Sequence, residues 1–63
     1  MRVRVLKVSI PAMSTIGFAQ GIDIETGEEI CFCGDQRPLR HLGEALRSAT
    51  EPLEVEIASW QIL

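Results

Sequence analysis

The stretch GFAQGIDIETGEEICFC, residues 17–33, decides the fold, because it predicts two β-strands joined by a tight turn. Large and small side chains alternate from Gly17 to Ile24, and β-branched, aromatic and cysteine residues follow between Glu28 and Cys33. The glutamate, threonine and glycine between these two runs are typical of a turn. We therefore expect an antiparallel hairpin at the centre of the chain.

The length of the turn decides which side chains share a face of this hairpin. A two-residue turn would place Ile22 and Ile30 on opposite faces. A three-residue turn, Glu25–Gly27, pairs Ile22 with Ile30, brings Phe32 to the same face, and gives Gly27 the left-handed position. We predict the three-residue turn, with Ile22, Ile30 and Phe32 facing the core.

An alternating run, Arg2 to Ile10, precedes the hairpin and predicts a first strand. Val3 and Val5 share one face, whereas Leu6 and Val8 share the other. A flat strand buries one parity throughout, so this change of phase indicates a β-bulge or strong coiling.

A helix is expected after the hairpin, from Arg37 or Pro38 to Ala49, because proline fits the first helical turn and Asp35 can accept hydrogen bonds there. Its apolar residues recur at helical spacing and predict a buried stripe. That stripe consists of Leu39, Leu42, Ala45, Leu46 and Ala49.

The segment from Leu53 to Ile62 predicts a last strand whose phase also changes. Arg2 and Arg4 share a face of the first strand, as do Glu54 and Glu56 of the last. If these strands are neighbours, the four side chains form a ladder of opposite charges, which we favour over a free basic patch.

The predicted order is β-β-β-α-β, a fold of the α+β class with a small curved antiparallel sheet and one packed helix. This architecture resembles a trimmed OB-like β-barrel, which has five strands and a helix between the third and fourth. The chain stops one strand short of that barrel, or its last strand bends and serves twice. The resemblance is one of architecture and rests on no family motif.

Sixty-three residues with 46% apolar content form one small domain, residues 1–63, near the lower size limit for an independent core. No stretch approaches the length that spans a bilayer, and no signal peptide opens the chain, so we expect a cytoplasmic protein without membrane contact. The net charge of −3 weighs against a general nucleic-acid binder. A small core also favours packing against a second copy.

Two cysteines and one histidine cannot fill a tetrahedral zinc site within one chain. We therefore predict no metal and no other cofactor, and interpret Cys31 and Cys33 as packing residues beside Ala19 and Gly21, with a shared metal or redox role as the alternative. His41 is interpreted as a helical residue at the solvent edge. No nucleophile–base pair, phosphate loop or small-molecule substrate site is evident, so we predict that the protein is not an enzyme.

Two functions remain. The first is a protein–protein or assembly module, self-associating through its C-terminal residues Trp60, Ile62 and Leu63, because tryptophan and exposed aliphatic side chains favour interfaces. The second is an OB-like single-stranded nucleic-acid binder, which needs exposed aromatics in a basic groove. Candidate contacts for nucleic acid or an acidic partner are Lys7, Phe18, Arg37, Arg40 and Arg47. Glu44 lies four residues after Arg40 and three before Arg47, so it is expected to pair with both.

Overall fold

The computed structural model describes all 63 residues, which form one antiparallel sheet and one helix. The elements are strand β1 (Arg2–Ser9), β2 (Ile16–Asp23), β3 (Glu29–Asp35), helix α1 (Gln36–Ser48), strand β4 (Glu54–Glu56) and a 3-10 turn, Ser59–Gln61. The strands lie in the order β3-β2-β1-β4. They curl into a half-barrel around the helix-facing side, which confirms the predicted α+β fold with a small curved sheet.

Strand β1 contains the predicted bulge. The register with β2 shifts between Val5 and Lys7, so Leu6 is the extra residue. Val8 therefore returns to the inner face that Val3 and Val5 already occupy, whereas Leu6 is 49% exposed. The change of phase in the sequence therefore marks a bulge, and β1 contributes to one face of the core on both sides of it. Leu6 does not join Val8 in the core, although the sequence pattern suggested that it would.

The turn between β2 and β3 is longer by one residue than predicted. The Asp23 amide donates to the Glu28 carbonyl (2.8 Å), which leaves the four residues 24–27 in the loop. An Asp23 carboxylate oxygen accepts from the Glu25 amide (3.0 Å), and the Asp23 carbonyl accepts from the Gly27 amide (2.7 Å). Gly27 adopts a left-handed φ of 77°, as expected for the residue that closes the turn. The prediction of a three-residue turn is wrong because the aspartate side chain stabilises the longer one.

One added turn residue reverses the parity of the pairing. Phe32 lies opposite Ala19, and Ile30 lies opposite Gly21. Phe32 is buried as predicted, but Ile22 is not its neighbour on the inner face and points to the other side of β2. Small residues of β2 therefore line the core, and its larger side chains face outward.

The core is small, with nine buried residues of 63. Its apolar members come from the first three strands, the helix and the residue after β4: Val3, Val5, Ala19, Phe32, Leu39 and Ile57. Gly17 permits the helix to approach, because a Cβ there would lie 3.0 Å from the Leu39 side chain. The helix is thereby held against the inner face of the sheet.

Helix α1 begins at Gln36, close to the predicted start, and its N-terminus is capped as expected. The Asp35 carboxylate accepts from the Arg37 amide (2.9 Å). Leu39 is buried, and Leu42 and Leu46 are half-buried against the core. The buried stripe of the helix is narrower than predicted, because Ala45 and Ala49, the residue after the helix, are exposed.

The C-terminal segment crosses from one edge of the sheet to the other. Only Glu54–Glu56 forms a strand on β1, and Ser59–Gln61 forms a 3-10 turn where a continuous strand was predicted. Ile62 then forms a bridge with Phe32 on β3, and the Leu63 amide donates to the Cys31 carbonyl (2.9 Å). Of the two alternatives for the missing strand, a bent last segment that serves both edges matches the structure.

Strands β1 and β4 are neighbours and carry the predicted charge ladder. Arg2 lies opposite Glu56 and Arg4 opposite Glu54. The Arg2 guanidinium lies 3.2 Å from a Glu54 carboxylate oxygen, and that of Arg4 lies 4.0 Å from the other oxygen. These exposed pairs contribute about 0–1 kcal/mol each and mainly fix the pairing of the two strands.

Gly21 and Gly43 are predicted to respond in opposite directions to alanine. A Cβ at Gly21 would collide with Val3 Cγ1 and lie 2.6 Å from the Arg4 carbonyl oxygen, so Gly21→Ala should lower the free energy of unfolding by about 1–3 kcal/mol. A Cβ at Gly43 meets Val8 at an ordinary 3.5 Å. Gly43→Ala should therefore raise stability by up to about 1 kcal/mol through helix propensity.

Urea denaturation of the two variants beside the unsubstituted protein measures both changes. Gly43→Ala is the matched control, because it adds the same methyl group to the same inner layer. Equal stability of the Gly21→Ala variant and the unsubstituted protein would contradict the close contact between β1 and β2.

Candidate functional site

The sheet has one covered face and one bare face. Helix α1 packs on the inner face, and no element of the structure packs on the other. We call this bare surface the outer face and define it by nine side chains in three cross-strand rows. The rows are Arg4, Ile22 and Glu29; Lys7, Gln20 and Cys31; and Ser9, Phe18 and Cys33.

Two shallow depressions mark the centre of the outer face. One, of about 270 Å³, has Leu6 and Glu29 on its rim, and the other, of about 230 Å³, has Lys7 and Phe18 on its rim. Gln20 and Cys31 line both, so the two depressions form one continuous surface. Each is smaller than the roughly 300–1,000 Å³ of an ordinary small-molecule pocket. A shallow continuous surface is better suited to a macromolecular contact.

Large apolar side chains surround these depressions. Leu6 is 49% exposed, Phe18 38% and Leu63 70%. Leu63 lines the same depression as Phe18 and Lys7 because its backbone is held against β3. An apolar patch of this kind, rimmed by charged side chains, is typical of an interaction site.

The structure brings together three of the residues singled out from the sequence. Lys7 and Phe18, candidates for a nucleic-acid or acidic partner, and Leu63, a candidate for a protein interface, line one depression. Trp60 is 78% exposed on the 3-10 turn. Ile62 is half-buried against the core, so it has a role in the fold itself. Leu6 was missed, because the change of phase suggested that it is buried with Val8, whereas the bulge returns Val8 to the inner face and turns Lys7 outward beside Leu6.

The helix arginines lie on the opposite side of the molecule. Arg40 and Arg47 border a groove of about 230 Å³ over Val8 and Gly43, between the helix and the end of β1. Arg37 is exposed in the first helical turn. These side chains cannot share one groove with the outer face, because the sheet and the helix lie between them.

Arg40 also borders the largest concavity, about 530 Å³, which lies between the helix and the loop of residues 11–15. Its guanidinium donates to the Gln36 side-chain oxygen (3.0 Å). The predicted ion pairs of Glu44 with Arg40 and Arg47 are not formed. The outer side of the helix therefore keeps more free positive charge than the sequence suggested.

Both cysteines lie on the outer face, which corrects their predicted position beside Ala19 and Gly21. Cys31 is opposite Gln20 and exposed, and Cys33 is opposite Phe18 and half-buried. Both are free thiols. No three His, Cys, Asp or Glu side chains come close enough to hold a metal ion. His41 is exposed on the helix.

Gln61 fastens the C-terminal segment that carries Leu63 to the sheet. Its side-chain oxygen accepts from the Ala58 amide (2.9 Å), and its side-chain nitrogen donates to the Cys33 carbonyl (3.2 Å). These bonds close the 3-10 turn and attach it to the edge of β3. The position of Leu63 at the rim of the outer face therefore depends on Gln61.

Gln61→Ala is predicted to lower the free energy of unfolding by about 1–3 kcal/mol, because two hydrogen bonds are lost. The Leu63 amide should exchange with solvent faster than in the unsubstituted protein, which NMR hydrogen exchange measures. Gln20→Ala, on the exposed middle of β2, is the control and should leave this amide unchanged. Unchanged protection of Leu63 in Gln61→Ala would contradict the role of Gln61.

Three comparisons, with protein-family models, with curated proteins and with solved structures, find no match to this chain. None of the helices in the structure has the length and apolar character needed to cross a membrane. The outer face is therefore interpreted from its own chemistry.

Proposed function

We propose that this protein is a non-enzymatic binding module that self-associates through its outer face. The observation that carries the proposal is the one-sided cover of the sheet, which leaves Leu6, Phe18 and Leu63 together in solvent. A second copy is the proposed occupant, because the outer face carries charges of both signs, Lys7 on one rim and Glu29 on another. A surface of that kind can complement itself, as a two-fold interface requires.

The size of the core supports association. Nine buried residues are few for an independent domain, and chains of about 60 residues bury only roughly 60% of the surface of their unfolded form. Removing a Phe or Leu side chain from water contributes about 1.5–3 kcal/mol. Covering Phe18 and Leu63 with a second copy would therefore add to a small core.

Trp60 belongs to the proposed contact on chemical grounds. It is the only tryptophan of the chain, it is exposed, and it precedes Leu63 by three residues. Tryptophan is enriched among residues that dominate binding energy. Its contribution is separable from that of the C-terminal backbone, because the bridge of Ile62 with Phe32 and the Leu63 hydrogen bond to Cys31 hold that backbone, whereas the Trp60 side chain forms no hydrogen bond.

The positions of the histidine and the cysteines support a binding role, and the exposed thiol supports a reducing compartment such as the cytoplasm. The single histidine, His41, is on the helix, and the cysteines are on the far side of the sheet, so no imidazole lies beside a thiol. Cys31 is an exposed free thiol, which persists where glutathione keeps thiols reduced.

Phe18→Asp and Leu63→Asp are each predicted to shift the protein towards monomer, because either change places a carboxylate in an apolar contact. Sedimentation equilibrium over a range of concentrations measures the effect, and at least a tenfold rise in the dissociation constant is expected. Met13→Asp is the matched control. Met13 is fully exposed in the loop before β2, and its left-handed φ of 62° suits aspartate.

Trp60 fluorescence gives a second readout of the same equilibrium. If Trp60 is part of the contact, its emission shifts to shorter wavelength as the concentration rises, and Trp60→Ala weakens association. A protein that stays monomeric at all concentrations would contradict self-association. An unchanged mass distribution in Phe18→Asp and Leu63→Asp would place the contact elsewhere.

A second candidate, single-stranded nucleic-acid binding, is favoured by one observation. Lys7 and Phe18 line one depression, so a positive charge that could contact phosphate lies beside a ring that could stack on a base. The polar side chains of Ser9 and Gln20 line the same depression. The helix arginines lie on the other side, so the positive charge of this face comes from β1 alone, where Arg2 and Arg4 already lie close to Glu54. Self-association is therefore the better supported function.

Fluorescence anisotropy of a labelled oligothymidylate tests this second candidate. If the outer face binds single strands, anisotropy rises at low salt, falls steeply between 50 and 200 mM salt, and is abolished by Lys7→Glu. Arg47→Glu on the helix is the control of equal charge change. No binding at low salt would exclude the nucleic-acid role of this face.

A further inference from the structure

The charged side chains among the nine of the outer face lie on its two flanking strands: Arg4 and Lys7 on β1, and Glu29 on β3. Arg4 and Glu29 lie in one row on either side of Ile22 of β2, and this row continues past Arg4 to Glu54 on β4. Neighbouring strands are about 4.8 Å apart, so the two charges are separated by roughly 10 Å across the sheet. The row through Phe18 carries no charge, since its other members are Ser9 and Cys33.

We infer that two copies pack outer face to outer face about a two-fold axis parallel to β2. This inference rests on the proposed self-association and specifies its geometry. An axis along β2 places β1 of one copy over β3 of the other and keeps each row opposite itself. Arg4 therefore faces the partner's Glu29, and Glu29 faces the partner's Arg4. Phe18 lies near the axis and faces the partner's Phe18.

Charge selects this axis over the other in-plane two-fold axis. An axis perpendicular to the strands would reverse the rows, so that Arg4 faced the partner's Ser9 and Glu29 faced the partner's Cys33. Both charges would then lose water without gaining an opposite charge, which is costly. The axis along β2 instead forms two ion pairs between copies for each dimer.

Sheet packing allows these contacts to form. Two sheets that pack face to face lie about 10 Å apart with their strands nearly aligned, and their side chains interdigitate. Arginine and glutamate side chains can meet across that gap from facing positions. The facing Phe18 rings meet at the middle of the uncharged row, where aromatic pairs add to the burial of apolar surface.

Existing contacts leave the two charges available. Arg4 lies 4.0 Å from Glu54, a distance at the limit of an ion pair, while Arg2 holds the same carboxylate at 3.2 Å. Glu29 is exposed and forms no ion pair. Arg4→Glu removes only the longer of these two contacts, but it places a carboxylate opposite Glu54, so the fold of this variant has to be checked.

The test uses two charge reversals on the outer face, Arg4→Glu and Glu29→Arg, alone and mixed. Each variant alone should associate at least tenfold more weakly, because the two-fold axis turns both pairs into like-charge contacts. An equimolar mixture should regain the affinity of the unsubstituted protein, because a mixed dimer restores both opposite-charge pairs. Sedimentation equilibrium measures all three samples, and far-UV circular dichroism checks each fold.

Matched controls come from the helix, which lies on the far side of the sheet. Arg40→Glu and Glu44→Arg change the net charge by the same amounts and should leave association unchanged. These two controls show whether a change in association comes from a local contact of the outer face or from the change in net charge.

The outcomes distinguish this geometry from the proposed function. Weakened single variants whose mixture also stays weak would overturn the axis along β2. Single variants as strong as the unsubstituted protein, together with a disruptive Phe18→Asp, would also overturn it while leaving self-association through the outer face intact. If the unsubstituted protein is monomeric at all concentrations, both the two-fold geometry and the proposed self-association are contradicted.

Discussion

The bulge at Leu6 is the constraint on which the rest of this structure depends. Without an extra residue in β1, the parity of the strand would turn Val8 away from the face that buries Val3 and Val5. The bulge lets one strand contribute to the core along its whole length, and it bends the sheet around the helix. It also turns Lys7 outward beside Leu6, so the same irregularity that completes the core adds Lys7 to the outer face.

The turn at Asp23 is the second constraint, because its length determines which side chains of β2 and β3 share a face. The sequence did not predict this length correctly. The positions of the first three strands, the helix bounds, the Asp35 cap and the ladder between β1 and β4 follow from local patterns and could be predicted. Turn length could not, because three- and four-residue loops both accept Gly27 and differ by the hydrogen bonds of one carboxylate. A single residue of turn length reverses every side chain of the pairing, which is why Cys31 and Cys33 were assigned the wrong neighbours.

Three residues of the candidate site could be singled out from the sequence, but their arrangement could not. Lys7, Phe18 and Leu63 are candidate contact residues because of their side-chain chemistry. No local sequence pattern, however, places a C-terminal leucine beside an aromatic residue of β2. That proximity arises from the bridge between Ile62 and Phe32, a contact between residues 30 positions apart. Such pairings depend on the closure of the sheet, which a pattern of periodicity does not encode.

The same bridge links the core to the outer face. Phe32 is almost completely buried, and the strand that carries it places Cys31 and Cys33 on the opposite surface. The C-terminal segment contributes Ile62 to the core and Leu63 to the rim, through consecutive residues. A partner that covers Leu63 therefore also immobilises the segment that completes the core. For a chain with so few buried residues, the proposed association through the outer face would raise the stability of the fold, because a ligand that binds only the folded state stabilises it by mass action.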